Sequence, residues 1–196
     1  MAQSKRSTRA RKSATRARSR RNGQSNDAIS LLKADHEEVK KWFGEFEKSR
    51  SDSRKQELAQ KICMALKVHT IIEEEIFYPA FLEATDEEDI HHEAEVEHEG
   101  AKKLIEEIEA AGPDDDYFDA RMSVLSEMIK HHVNEEEKRG GMFAKARSSE
   151  MDLEALGEQL QQRKQEVMEG GDAESVLSEQ GAESASSRRG RGKMAA

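Results

Sequence analysis

Three scarcities bound this 196-residue chain: it has one cysteine, two prolines and only 5% aromatic residues. The lone Cys63 excludes an internal disulfide and fits a reducing compartment. With only Pro79 and Pro113 to interrupt it, the chain leaves long stretches free for helix. Aromatic and β-branched residues rarely alternate with polar ones, which argues against sheets. No apolar run approaches the roughly 18 residues of a membrane span. The basic N-terminal stretch also lacks the apolar middle of a secretory signal. These absences lead to the expectation of a soluble, cytoplasmic, all-α protein.

What is abundant is charge. Charged residues make up 37% of the chain and sum to −9. Residues 1–26 carry nine Lys/Arg and no acid, and residues 185–196 carry four more, Arg188, Arg189, Arg191 and Lys193. Removing those thirteen cations leaves residues 27–184 at −22, an acidic body between two basic tails. The tails lack the apolar side chains needed to offset ordering, so 1–26 and 171–196 are expected to be disordered. Residues 1–26 read either as a solvated leader or as a foot for nucleic acid or an anionic surface.

Between the tails the apolar spacing predicts helices. The first runs from about Asp27 to Lys48, capped by Ser25, Asn26 or Asp27, and its seam is 29, 32, 36, 39, 43, 46. Position 36 of that seam is a histidine. Ser51-Asp52-Ser53 caps a second helix that carries Lys67–Phe81 and is expected to end soon after Pro79. Thr85 and Glu88 have the spacing of a capping box for a third, which stops at Gly112-Pro113. A fourth is expected from Asp114-Asp115-Asp116, with Phe143 at the far end of its stripe; Gly140-Gly141 is expected to fray or bend it just past His132 and Glu136, giving the site an opening, or simply to mark its end. Residues 148–170 form a more polar accessory helix, either a flap across the bundle or a contact with another chain.

Each of the four main helices places one histidine on its apolar stripe: His36, His69, His98 and His132. Two of these helices add a glutamate four residues later, Glu73 and Glu136, on the same helix face. A buried imidazole or carboxylate needs a partner, because an unpaired charge in an apolar interior costs several kcal/mol. One core histidine is ordinary packing; four of four, with a duplicated His-x-x-x-Glu, points to metal. Short-connected antiparallel helices bring such residues together inside a four-helix bundle. Mixed imidazole and carboxylate donors suit Fe, Mn or Zn rather than Ca or Mg. Two carboxylates among four imidazoles favour a dinuclear centre. His91, His92 and His131 fall off the buried stripes and are expected in solvent.

This pattern, with ADH at 34–36, EEEIFYP at 73–79, EVEH at 95–98 and HHVNEEE at 131–137, closely resembles the hemerythrin-like family, or HHE cation-binding domain, over about residues 27–147. The resemblance implies an up-down-up-down bundle with a non-haem di-iron site, Mn or Zn ranking below Fe. Carried over by position, His36, His69, His98 and His132 would be terminal ligands and Glu73 and Glu136 bridging ones. Oxygen-carrying relatives have a second histidine on the third helix, where this chain has Ala94 or Lys102. They use an Asp near the position of Glu137. One imidazole fewer leaves a coordination position for water, Glu95 or Glu97, and moves the expectation from oxygen storage toward sensing or chemistry.

The expected function is therefore binding or sensing of a small ligand (O2, NO or H2O2). The alternatives are an enzyme decomposing peroxide or reducing NO, or an iron-binding store. Ferritin-like oxidases need Glu-x-x-His on two helices, and Glu95-x-x-His98 has no counterpart on another helix. A zincin needs His-Glu-x-x-His, which Lys40 and Val96 interrupt.

Overall fold

The computed structural model describes residues 27–170; the two basic tails lie outside the described residues. Helix α1 spans Ala28–Lys48, and Asp27 caps it by accepting from the Ser30 amide at 2.8 Å. Helix α2 spans Asp52–Ile72 behind a Ser51 cap. Helix α4 spans Glu88–Ala111 and ends at Gly112, whose φ of 72° is one that glycine adopts freely. Helix α5 spans Phe118–Glu137. These four form the bundle, each packed against the next, with α1 and α5 closing it.

Three local expectations change. The second helix does not stop after Pro79. A π-turn at Glu73–Phe77 follows α2, and α3 continues over Tyr78–Thr85 with the proline in its first turn, where its missing N–H matters least. The Thr85/Glu88 capping box does not form. The Thr85 hydroxyl donates back to the Phe81 carbonyl at 2.7 Å and so closes α3, while Asp86 turns through a left-handed conformation. The fourth helix starts after the Asp114–Asp116 turn and ends before the glycine pair. Phe143 therefore belongs to a separate short helix α6, Met142–Ser148.

Helix α7, Leu153–Gly170, lies against α1, α2 and the π-turn. Leu160 enters the bundle core, and Val167 packs on Val68 and Ile71. Arg163 pairs with Glu75 of the π-turn at 2.6 Å. Of the two roles read for this segment, packing across the bundle is the one seen.

The core has two apolar ends. One holds Val39, Phe43, Phe46, Ile62, Leu66, Ile105 and Leu125; the other holds Ile29, Leu32, Ile72, Phe77, Phe81 and Phe143. His36 falls between Leu32 and Val39, and His69 between Leu66 and Ile72. The polar residues thus form one belt between two water-excluding caps. Cys63 is buried apart from that belt, and burial pushes its thiol up to about 12, which leaves it unreactive. Among the described residues no helix is long and apolar enough to cross a membrane.

Candidate metal centre

All six residues singled out in the sequence meet in the belt: His36, His69, Glu73, His98, His132 and Glu136 are each 6% exposed or less. The His36 and His69 Nε2 atoms are 3.0 Å apart, and those of His98 and His132 are 3.2 Å apart. Glu73 Oε2 lies 3.2 Å from His69 Nε2 and 3.5 Å from His98 Nε2. Glu136 Oε2 lies 3.4 Å from His36 Nε2 and 3.7 Å from His132 Nε2. Each carboxylate thus stands between the two imidazole pairs. His36, His69 and Glu73 form one group with donor atoms close enough to hold a cation; Glu73, His98 and His132 form a second, and Glu73 is common to both.

The outer ring nitrogens decide what the inner ones can do. Asp35 on α1 faces His69 Nδ1 at 3.6 Å. Glu74 on the π-turn meets His98 Nδ1 at 3.0 Å, Glu97 on α4 meets His132 Nδ1 at 2.8 Å, and Glu137 on α5 meets His36 Nδ1 at 2.8 Å. The carboxylates run once round the bundle, each reaching from its own helix to the histidine of the next. An ionised carboxylate only accepts, so a neutral imidazole beside it carries its proton on Nδ1 and turns an unprotonated Nε2 inward. Inward lone pairs about 3 Å apart repel unless a proton or a cation lies between them. This is the histidine–carboxylate arrangement that orients metal ligands.

A basic side chain backs every outer carboxylate: Lys164 on Asp35, Lys102 on Glu74 at 2.6 Å, the His131 ring nitrogen on Glu97 at 3.1 Å and Lys33 on Glu137 at 2.7 Å. The hydrogen bond from His36 and the charge of Lys33 hold the Glu137 carboxyl down at about 2.

Inside the belt the charges are unbalanced. Burial alone would raise the Glu73 carboxyl, but the His69 and His98 imidazoles outweigh it and hold Glu73 well below the usual range. Burial, then the charge of Glu73, pushes Glu136 up to about 8. Burial opposes a charge on His69, yet Glu73 and Asp35 push that imidazole up to about 10. Without a cation, protons must therefore hold this belt together. Among the described residues Glu73 Oε1, Glu136 Oε2 and His69 Nδ1 make no hydrogen bond although fully buried. A metal ion relieves the carboxylate orphans, and the donor set suits a first-row transition metal.

Tyr78 is the inner residue that the sequence reading missed. Its hydroxyl lies 3.2 Å from Glu136 Oε1, 3.2 Å from His98 Nε2 and 3.4 Å from Glu73 Oε2. The reason is the π-turn: the Tyr78 amide bonds to the Glu73 carbonyl five residues back, so one extra residue rotates Tyr78 onto the face of Glu73. Regular periodicity would have pointed it elsewhere; Pro79, beside it, was the available signal. Burial and then the nearby carboxylates push its phenol well above the ordinary value, so the hydroxyl keeps its proton and donates.

The outer carboxylates were missed as a set. Each lies one residue from a seam residue, about 100° round the helix, where it faces the neighbouring helix. Glu97 and Glu95, the suggested extra ligands, do not enter the belt: Glu97 is on the outer side of His132, and Glu95 is exposed, 3.8 Å from His91. Lys102 and Ala94 stand where carriers have histidine, Lys102 turned outward to Glu74. His92 and His131 are exposed, whereas His91 is partly covered by the Tyr78 ring, 5.9 Å away.

The profile of the Hemerythrin HHE cation binding domain matches residues 27–146, and the chain belongs to that family. Among solved structures it is similar to a hemerythrin HHE cation-binding domain-containing protein from Mycobacterium kansasii. The two superpose with a TM-score of 0.60 at 21% identity, over 71% of this chain and 86% of that one, a likeness of fold. A curated relative from a Nostoc species, described as a DNA nickase, is 29% identical over 122 residues. The match takes in 61% of this chain and spans about a third (33%) of that relative's length.

Proposed function

We propose that the belt holds two non-haem iron ions and that the protein binds or senses a small molecule (O2, NO or H2O2) there. The observation that supports this most directly is the convergence of four inward imidazole nitrogens on two carboxylates, each standing between the two pairs. His36 and His69 would serve one metal, His98 and His132 the other, with Glu73 and Glu136 shared between them. Bound iron would supply reversible redox change and open coordination for a small ligand. The chain's own contribution is to fix the imidazole tautomers from outside, exclude water through the two apolar caps, and present the Tyr78 proton to Glu136. Mn or Zn in the same residues is the lower-ranked alternative.

Metal content and an optical spectrum of aerobically purified protein, beside His69→Ala, test the reading. About two irons per chain with near-ultraviolet charge-transfer bands, both lost in the variant, are expected. One zinc without such bands would overturn it. Stopped-flow peroxide consumption then separates a binding protein from an enzyme: turnover beyond stoichiometric oxidation establishes the latter.

The nine uncompensated cations of residues 1–26 support a second, separate reading, contact with nucleic acid or another anionic surface. The relative described as a DNA nickase is in keeping with it. Binding that weakens steeply with salt and disappears in a protein lacking residues 1–26 is expected; equal binding by the shortened protein rejects it.

A further inference from the structure

A groove runs between α1 and α5, the sparsest seam among the bundle neighbours. Its volume is about 260 Å³, and its walls include Lys40 and Phe43 from α1 and Ser126, Ile129 and Val133 from α5. Adjoining it is a smaller, narrower cavity of about 20 Å³ lined by all four site histidines together with Val39, Leu66 and Ala101. A cavity needs roughly 10–15 Å³ on this measure to hold one water. The inner space therefore takes one water-sized molecule and nothing much larger.

Groove and cavity share a wall. His36, Ile129 and Val133 line both spaces, so these three side chains form the common boundary between the groove and the cavity of the imidazoles. Ile129 and Val133 are half-buried aliphatic side chains on the groove face of α5. Ser126, one turn before them, adds an independent sign. Ser126 is 2% exposed and lines the groove, and its hydroxyl makes no hydrogen bond among the described residues. A helical serine usually bonds the carbonyl four residues back, as Ser123 does to Asp119 at 3.0 Å. Leaving a buried hydroxyl unpaired is unfavourable, and a hydrogen-bonding visitor in the groove would satisfy it.

We propose that the α1–α5 groove is the access route by which a small uncharged molecule reaches the centre, with Ser126 as a hydrogen-bonding station and Ile129 and Val133 as the inner lip. The apolar floor of Phe43, Ile129 and Val133 disfavours ions. The charged residues that line the groove are already paired: Lys40 with Glu37 at 3.0 Å, Lys130 with Glu47 at 3.7 Å and Glu137 with Lys33 at 2.7 Å. A second hollow, about 80 Å³ beside Gly140 and Gly141, touches His132 and Glu136. It shares only His132 with the inner cavity, so it is the weaker candidate.

The inference rests on the metal-centre reading for its purpose, but one test needs no metal. In the metal-free full-length protein, dissolved O2 under pressure should broaden the methyl resonances of Ile129, Val133, Val39 and Leu66 more than those of Ile108 or Leu160. Uniform broadening would overturn the route whether or not iron binds. In the iron-loaded protein, Val133→Phe should leave metal content and spectrum unchanged while slowing association of both hydrogen peroxide and nitric oxide at least tenfold. Ser126→Ala should slow peroxide severalfold and leave nitric oxide unchanged. Met142→Phe, at the other hollow, should change neither. A Val133→Phe protein with full iron and wild-type rates, or slowing by Met142→Phe alone, would reject the groove. Failure of the wild type to take up iron would instead count against the metal-centre reading.

Discussion

Lys164 of α7 is paired with Asp35 of α1, the carboxylate that faces His69 across 3.6 Å. This is the one place where the outer ring draws its cation from beyond the four bundle helices. Asp35 is held by the ammonium more closely than by the imidazole, and His69 Nδ1 is left without a hydrogen bond. The position of α7 therefore bears on how firmly His69 is oriented.

Replacing an outer partner of a metal-bound histidine typically lowers metal affinity by about 10- to 100-fold. Lys164 acts one step further out, so Lys164→Ala should weaken metal binding by roughly 3- to 10-fold, and Lys164→Arg should restore most of it. Competition with a chromophoric chelator measures this. Equal affinities in wild type and Lys164→Ala would show that Asp35 holds His69 unaided.

Tyr78→Phe removes the hydroxyl that, alone among the described residues, donates to Glu136. That hydrogen bond lowers the Glu136 carboxyl against burial and the charge of Glu73, so its loss should raise the carboxyl further above about 8. More of it is then protonated at pH 7, and metal binding has to expel that proton. Apparent metal affinity should fall severalfold at pH 7, and the difference from wild type should close by about pH 9 or 10. A deficit that persists unchanged at high pH would mean that the phenol acts on the metal ions directly.

The pH dependence of the metal-free and loaded proteins should run in opposite directions. Glu136 is raised from 4.5 to about 8, so its contribution to folding is present below 4.5 and is lost as pH rises through 8. His69 is raised from 6.5 to about 10, so its contribution holds below 6.5 and is lost as pH rises through 10. Glu73 and Glu137, both depressed, lose theirs as pH falls below 4.5. On these groups the metal-free Tm should therefore peak near pH 4.5, decline above it as Glu136 loses its proton, and decline more steeply above about 6.5 as His69 joins it. Ligation needs Glu136 and His69 deprotonated, so metal affinity should rise from pH 6 to 8 with measurable proton release. Calorimetry in two buffers of different ionisation enthalpy reads the protons directly.

The inner cluster of four histidines and two glutamates was legible because seam positions repeat at threes and fours, and a histidine on a seam stands out against apolar neighbours. The bundle followed from the same periodicity. Tyr78 was not legible, because a π-turn shifts the register by one residue and nothing in a 3.6-residue pattern announces it. Asp35 and Glu74 escaped for another reason, as did the outer role of Glu97 and Glu137, whose positions in the sequence suggest only a direct ligand. They lie beside the seam in a chain where 37% of residues are charged, and which carboxylate faces a neighbouring imidazole depends on helix rotation. The separate helix α6 was hidden because Phe143 happened to continue the stripe of α5 across the glycine pair.

That glycine pair gives the sharpest steric prediction. Helix α5 ends at Glu137, and the chain reverses through Gly140, φ 83°, into α6. A Cβ on Gly141 would meet the Glu135 carbonyl oxygen at 2.2 Å and that of Glu136 at 2.9 Å, both backbone atoms with nowhere to swing. Gly141→Ala must therefore displace the end of α5, which carries Glu136 inside the belt and Glu137 against His36. It should lower stability by about 1–3 kcal/mol, as overpacking does, and also weaken metal binding. Gly140→Ala meets no neighbour but is strained by its positive φ, so it should cost about 1 kcal/mol and leave metal affinity unchanged. Gly44→Ala, in open space within α1, should add about 0.5–1 kcal/mol of stability. Chemical denaturation beside metal titration separates the three. Equal metal affinity in Gly141→Ala and Gly140→Ala would show that the end of α5 can shift without carrying Glu136 out of place.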